Sequence, residues 1–379
     1  METTLFDILV VYSQRQADSA SSRSPWTTKP FSQKSGNGIY NEVYAYFMRF
    51  CERQHLSVAF TTSKDIIGAG LCKNYWLYTK KGWTKVRRQA YAELIFDKVS
   101  LVNPKLTAAH DLLFSSEEVK SFISEDMRVL FLDKAKTHKT LGQLSIPTVS
   151  VKKHSRQGLE DALVALKTLI EQYPHQDDFS TEVILKDRFG AEGRNVFKFQ
   201  PTQLNEMQNV LKKNPSTFFI LQPFTKFDHG FTFQKMPVSA DIRLIFLRGK
   251  MIQTYVRIAK KDNFLCNEHQ GGLLRYTTES KLPQAVIAQA NKIMGVLKYN
   301  DSLFSLDFVV SNNGNAYLLE GNTSPGIDWN PALQINIDKS KEFIRAIVYE
   351  CARMVERSKI GSRRGSDEFK RNQLLIASS

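Results

Sequence analysis

Apolar positions along the chain fall into two periods, and their alternation predicts the order of elements. Leu5 to Tyr12 is a β-branched, apolar run ended by Ser13, and the stretch from there to Gly38 is rich in Ser, Thr, Lys and Gly, so it reads as a strand followed by a long loop. Val43, Phe47, Phe50 and Cys51 then recur at helical spacing, and Leu56 to Phe60 alternates as a second strand. A β-α-β start is predicted. Tyr75, Leu77 and Tyr78 are answered across Lys81-Gly82 by Trp83 and Val86, which predicts a hairpin over 75–88, and Leu94 to Val99 resumes the sheet.

The second half keeps the same grammar. Leu159, Ala162, Leu163, Leu166, Leu169 and Ile170 form one helix face, after which Glu182 to Lys186 and Asn195 to Phe199 read as strands around a glycine loop. Phe218 to Gln222 is a further strand. Ile242 to Leu247 and Met251 to Ile258 flank Arg248-Gly249, a hairpin turn pair. Val286, Ile287, Ala290, Ile293, Met294 and Leu297 make a helix. Phe304 to Val310 and Ala316 to Leu319 then pair across Asn312-Asn313-Gly314, and a last helix runs through Phe343, Ile347, Cys351 and Val355. No internal repeat is visible. The fold class is therefore α/β (α+β).

Composition narrows the class. A chain of 379 residues buries a sizeable core and suggests two or three domains. No run of ~18 apolar residues spans a bilayer. Met1 to Tyr12 carries Glu2 and Asp7 without a basic leader, so it reads as a strand and not a secretory signal. Cytoplasm is the expected compartment. Cys51, Cys72, Cys266 and Cys351 are far apart, without a zinc-like spacing, and are expected to be reduced structural thiols. The net charge of +14 favours an anionic partner without naming it, and nucleic acid is the less favoured one. Part of that charge lies in Arg357, Lys359, Arg363, Arg364, Lys370 and Arg371, expected to form a flexible, solvated tail.

Candidate chemistry lies in a few polar residues set within apolar strands. Asp307 sits in one strand; Glu320 and Asn322 end the strand that pairs with it, so a hairpin brings three oxygen donors together. Magnesium takes hard oxygen ligands, commonly one or two carboxylates plus phosphate oxygens, and an asparagine oxygen adds a neutral ligand. Lys186 closes the apolar strand Val183-Ile184-Leu185 and is followed by Gly190-Ala191-Glu192-Gly193, whose backbone N–H groups can approach phosphate. The spacing is neither a Walker loop nor GxGxxG, and alone it equally fits a hairpin turn. Lys134 opens an expected helix. Gln222-Pro223-Phe224 ends a strand whose backbone and side chains suit an adenine ring. Arg243, Arg257 and Asn267, the last ahead of Gly271-Gly272, supply positive charge and donors of the kind a transferring phosphoryl group needs. The seven histidines show no base-orienter pairing, with His269 alone near glycines.

Taken in order, Asp133-Lys134, Lys186 with its glycine loop, Gln222-Pro223-Phe224, Asp241-Ile242-Arg243, Arg257 through Asn267 to Gly271-Gly272, Asp307 and Glu320-Gly321-Asn322-Thr323-Ser324-Pro325-Gly326 resemble the ATP-grasp superfamily. The likeness is to carboxylate-amine ligases of the ribosomal-protein glutamate ligase and glutathione synthetase kind, over roughly residues 130 to 350. Lys73 to Val99 also resembles the bacterial spore-coat-associated branch. The resemblance implies an ATP-grasp fold with an N-terminal, Rossmann-like pre-ATP-grasp domain over 1–125. A central subdomain over 126–225, a C-terminal subdomain over 226–357 and a tail over 358–379 would follow. It implies that Lys134, Lys186, Gly190, Gly193 and Gln222 to Phe224 hold ATP, that Arg257, Asn267 and Arg243 serve the transfer, and that Asp307, Glu320 and Asn322 hold two magnesium ions, or manganese in their place. The sequence departs from the family at Pro223, where an acidic residue is common, and at Glu192 and Arg194 in the glycine loop. The implied reaction joins a carboxylate substrate, an amino acid or acidic peptide, to an amine through an acylphosphate. A kinase acting on a hydroxyl and a nucleotide-binding assembly protein without turnover are the competing readings. A homo-oligomer is in keeping with base rates.

Overall fold

The computed structural model describes residues 2–376 except 23, 25, 100, 102, 103, 192, 262, 299 and 300. The side chains of 104, 269 and 360–376 lie outside the described set, so the expectations attached to Glu192, to His269 and to the tail side chains from Arg363 onward fall outside it too. The chain divides into two compact units, Met1–Ile123 with Gly326–Ser379, and Ser124–Pro325.

The first unit is built on a sheet of β1 (Ile8–Tyr12), β2 (Val58–Thr62), β3 (Tyr75–Thr79), β4 (Gly82–Val86), β5 (Leu94–Lys98) and β6 (Lys120–Ser121), in the order β6-β5-β1-β2-β3-β4. β6, β5, β1 and β2 run parallel, and α1 (Tyr40–Arg53) makes the expected crossover from β1 to β2. β1 and β5 are buried along their whole length, as parallel strands covered on both faces must be. α2 (Pro104–Leu113) follows β5. Two expectations shift. The run from Leu5 to Tyr12 is not one strand: Thr4–Leu5 pairs with Ala90–Tyr91 in a separate small sheet, and the chain turns at Asp7, whose carboxylate accepts hydrogen bonds from Ser57 N (2.8 Å) and Oγ (2.7 Å). The second strand starts at Val58 instead of Leu56, because the backbone N–H groups of Gln54, His55 and Leu56 still bond to the last turn of α1.

The second unit carries α3 (Glu125–Leu132), α4 (Lys134–Leu141), two larger sheets and a two-stranded ribbon of Phe231–Phe233 with Met236–Val238. One sheet joins β7 (Val149–Ser150), β8 (Phe179–Asp187), β9 (Val196–Phe199) and β10 (Phe219–Thr225) in the order β7-β10-β8-β9, backed by α5 (Arg156–Glu171) and α6 (Leu204–Lys213). β10 runs on to Thr225, so Gln222-Pro223-Phe224 lies within the strand and does not end it. The other sheet joins β11 (Ala240–Leu247), β12 (Lys250–Ile258), β13 (Leu273–Tyr276), β14 (Phe304–Val310) and β15 (Ala316–Asn322) in the order β13-β12-β11-β14-β15. The β11–β12 hairpin turns on Arg248 (φ 54°) and Gly249 (φ 70°), both left-handed as a two-residue hairpin of this kind requires.

That second sheet has two unlike faces. Ile242, Leu244 and Phe246 of β11, Val256 of β12, and Leu306, Phe308 and Val310 of β14 pack on Val286, Ala290 and Ile293 of α7 (Gln284–Val296) and on Met127, Leu130 and Phe131 of α3. Burying each such side chain is worth about 1.5–3 kcal/mol. With a period of two, the intervening positions must point the other way, and these are Asp241, Arg243, Arg257 and Asp307. β15 adds one irregularity. Asp307 faces Glu320, yet Phe308 already faces Leu318, so Leu319 is an extra residue in a bulge. In a regular strand of the same sequence Glu320 would share the face of Leu318, on the core side. α8 (Gln334–Ile376), counted with the first unit, continues past the expected end of the last helix at Val355 and packs on α1.

Gly321 shows how tightly this corner is built. A Cβ there would lie 2.1 Å from Cδ1 of Phe131, whose ring lies tilted against Phe304 (5.7 Å between centroids). Gly321→Ala is expected to lower unfolding free energy by about 1–3 kcal/mol in a chemical-denaturation measurement, as overpacking does. A change under about 0.5 kcal/mol would mean that the Phe131 ring moves aside freely.

Candidate active site

The face opposite the core is organised by four buried charges in one row. Arg243 Nε donates to Asp307 Oδ1 at 2.6 Å and its Nη2 to Oδ2 at 2.5 Å, a two-pronged clamp, and Nη1 reaches the Tyr255 hydroxyl at 3.3 Å. Arg257 clamps Asp241 in the same way (Nε to Oδ1 2.6 Å, Nη2 to Oδ2 2.9 Å), and its Nη2 also donates to Asp307 Oδ2 at 2.6 Å. The strand register makes this row: Asp241 faces Arg257 across β11–β12, and Arg243 faces both Tyr255 and, across β11–β14, Asp307. None of the four charged side chains is more than 9% exposed. Burial pushes the Asp241 carboxyl up to about 6 against the pull of Arg257. For Asp307 burial acts the same way, but Arg243 and Arg257 outweigh it and hold the carboxyl below its ordinary value.

Lys186, Gln222 and Glu320 face a cleft of roughly 850 Å³ counting its open mouth. Ten expected residues line it: Lys134, Lys186, Gly190, Gly193, Gln222, Pro223, Phe224, Arg257, Asn267 and Glu320. Arg243, Asp307 and Asn322 do not line it, although Asp307 touches the cleft residue Arg257 and faces the cleft residue Glu320. Among the other wall residues are Asp241, Phe264 and Leu319, to which the sequence assigned no role. The signal for Asp241 was present: it shares strand parity with Arg243, and an acid in a run otherwise apolar on alternate positions needs a partner.

Local structure explains each placement. Asp133 caps α4 by accepting from Ala135 N (3.0 Å) and Lys136 N (3.2 Å), and it also clamps Arg188 (2.6 and 2.5 Å). Lys134 N donates to the Arg188 carbonyl, and the Lys134 ammonium donates to the Gly190 carbonyl. The start of α4 is thereby tied to the glycine loop. Gly193 needs φ +71°, and a Cβ on it would stand 3.2 Å from Asn267 Oδ1, so the loop rests against the Asn267 turn. β7 pairs with β10 only as far as Leu221, so among the described residues the β10 edge at Gln222 to Phe224 has no strand partner on that side; the Gln222 amide donates to Thr148 Oγ1 (2.7 Å). Phe224 lies edge-on to Phe264 (5.8 Å) under the Lys198 ammonium (4.4 Å).

The donors at the strand ends suit a hard divalent ion. Asp307, Glu320 and Asn322 share one sheet face, since Asp307 pairs with Glu320 and Ser305 with Asn322. Among the described residues no three His, Cys, Asp or Glu gather, so such a site depends on the amide of Asn322. Asp307 Oδ1 accepts one hydrogen bond and keeps a lone pair, while Asn322 Oδ1 accepts from Ser324 N at 2.8 Å. The turn that leads into β15 is fixed by Asp178, 1% exposed, which accepts from Asn313 (2.8 Å), Asn315 (2.9 Å) and Tyr317 (2.6 Å).

Residues 131–347 match the model of the RimK-like ATP-grasp domain. The chain is 26% identical over 207 residues to the coenzyme gamma-F420-2:alpha-L-glutamate ligase of Methanococcus maripaludis, covering 55% of this chain and 64% of that protein. It is 36% identical over 123 residues to a probable alpha-L-glutamate ligase of Hydrogenovibrio crunogenus, covering 32% of this chain and 34% of that one. The chain thus spans under two thirds of these curated relatives. Among solved structures, D-cycloserine synthetase DcsG superposes with a TM-score of 0.57 at 13% identity over 91% of this chain and 99% of its own. D-alanyl-alanine synthetase A of Vibrio cholerae gives 0.57 at 11% identity over 94% and 99%. These last two show a shared fold.

Burial, then the charge of Lys134, pull the Lys186 ammonium down to about 7, with Glu320 opposing. At pH 8 it is therefore about nine-tenths neutral, and a bound polyphosphate that favours the charged form must draw in a proton. ATP titrated calorimetrically at pH 8 in buffers of different ionisation enthalpy should show uptake of close to one proton, absent in Lys186→Met. Equal heats in all buffers would refute this.

Proposed function

Because the chain belongs to the RimK-like ATP-grasp family, we propose that it is an ATP-dependent carboxylate-amine ligase, forming an amide or peptide bond with release of ADP and phosphate. The observation that carries the reading is that Lys134, Lys186, Arg257, Asn267 and Glu320 line one cleft, which gathers cations able to bind phosphate and an acidic ligand around one space. The relatives named as glutamate ligases support it as family members. We assign residues 1–125 to a pre-ATP-grasp domain, 126–225 to a central subdomain and 226–357 to a C-terminal one.

In this reading the adenine ring lies against Phe224 and Phe264 and bonds to the free edge of β10 at Gln222 to Phe224. Pro223 has no N–H to offer, so donation falls to its neighbours. Lys134 and Lys186 hold the phosphates, and the Gly190 to Gly193 loop covers them. Asp307, Glu320 and Asn322 would hold magnesium, one ion or two, with manganese as a substitute, and the ion would supply positive charge against the phosphates. The carboxylate of the acid substrate attacks the γ-phosphorus, the bond from that phosphorus to the β,γ-bridging oxygen breaks, and ADP leaves. Arg257 neutralises charge that builds on the transferred group and Asn267 donates to it, while Arg243, behind the cleft wall, serves the transfer by holding the Asp307 carboxylate. The amine then attacks the acyl carbon, phosphate departs with the bonding pair, and a proton is lost from nitrogen. No side-chain nucleophile is needed, in keeping with the absence of a Ser-His-Asp arrangement in the sequence. Positioning supplies much of the acceleration.

The net charge of +14 favours an acidic substrate, an amino acid or acidic peptide. Two outcomes follow. Glu320→Gln should abolish magnesium-dependent ATP turnover while the melting curve stays near that of the wild type; undiminished turnover would remove Glu320 from the ion site. Incubation with ATP, magnesium and candidate acids in hydroxylamine should give a hydroxamate. ATP consumed with no hydroxamate would favour transfer to a hydroxyl, and ATP bound without turnover would favour a non-catalytic binder.

A further inference from the structure

The charge row poses a problem that its own geometry answers. Asp307 serves two guanidiniums, accepting three hydrogen bonds, yet the reading above also asks it to ligate a dication; the inference here rests on that reading. Asp307 Oδ2 already accepts from both guanidiniums, so a dication must compete with them for that oxygen and takes it only where one guanidinium gives way. The two are not equally held. Arg243 reaches Asp307 through both prongs and has only a long contact elsewhere, to the Tyr255 hydroxyl at 3.3 Å. Arg257 gives Asp307 a single bond and gives Asp241 two. Letting go of Asp307 thus costs Arg257 one bond of three and leaves its clamp intact.

We propose that Asp241 is a positioning residue: it anchors Arg257 in the cleft wall so that Asp307 can be yielded to the metal and the released Nη2 N–H can turn to phosphate. Asp241 and Arg257 face each other on adjacent strands, 2% and 5% exposed, so the anchor is rigid and dry. Both line the cleft, whereas Arg243 does not. Arg257 is therefore the cation placed to exchange one anion for another. Remove the Asp241 charge, and Arg257 has Asp307 as its remaining carboxylate; arginine and metal then compete for it.

The test is a titration of the full chain with Mn2+ alone, followed by electron paramagnetic resonance. Asp241→Asn should bind Mn2+ at least fivefold more weakly than the wild type, and Glu320→Gln should lose binding through its missing ligand. Asp241→Asn/Arg257→Met, which removes both charges of the buried pair and so leaves neither uncompensated, should bind Mn2+ at least as tightly as the wild type, because the competitor is gone. A purely structural role for Asp241 predicts no such recovery. Mn2+ affinity within twofold of the wild type in Asp241→Asn, with Glu320→Gln impaired, overturns the proposal alone. Wild-type binding by Glu320→Gln overturns the metal reading itself. Should Asp241→Asn fail to fold, the double variant decides: binding weaker than the wild type overturns the proposal.

Discussion

The row Asp241–Arg257–Asp307–Arg243 is the constraint around which the second unit is arranged. Two carboxylates and two guanidiniums lie on the inner strands of one sheet, nearly without water. Such a row is poor evidence of stability, because desolvating four charges costs about as much as their attraction returns. Its value is direction. Each guanidinium is a rigid fork, so a clamp at both prongs fixes the plane and leaves the remaining N–H groups aimed. The row also explains why single substitutions there would be severe: deleting one member strands a buried charge, at a cost of about 3–5 kcal/mol.

Holding those charges in place falls to the other side of the same sheet. Ile242, Leu244, Phe246, Leu306 and Phe308 seal the core against α7 and α3, and this burial offsets the cost of drying the polar face. The bulge at Leu319 reconciles the two faces at the sheet edge, since it lets Leu318 enter the core and Glu320 join Asp307. Around the rim, small fixed contacts do the aligning: Asp133 to Arg188 sets the start of α4 against the glycine loop, and Asp178 secures the turn ahead of β15. The cleft is thus walled by elements whose positions are set mostly outside it.

Much of this was legible in the residues. The β11–β12 and β14–β15 hairpins were given by turn chemistry at Arg248-Gly249 and Asn312 to Gly314, because glycine tolerates the left-handed backbone that those turns need. Lys186, ending an apolar strand, could be picked out because a lysine in that setting needs an anion. Less could be read where pairing is nonlocal. Leu5 and Ile8 look alike in a list of apolar residues, but they belong to different sheets because their partners lie at Tyr91 and at Val58 and Leu94.

The sequence by itself determined the kind of chemistry, since residue types and their order restrict the ligands to oxygen donors, lysines and arginines, and alternation restricts them to one face of a sheet. Only the tertiary structure decided who pairs with whom. Nothing in the spacing of Asp241, Arg243, Arg257 and Asp307 says that Asp307 is shared while Asp241 is not, or that Arg257 enters the cleft wall and Arg243 stays behind it. Those facts come from strand register, which is set by the burial of the opposite face, and register is a property of the whole sheet.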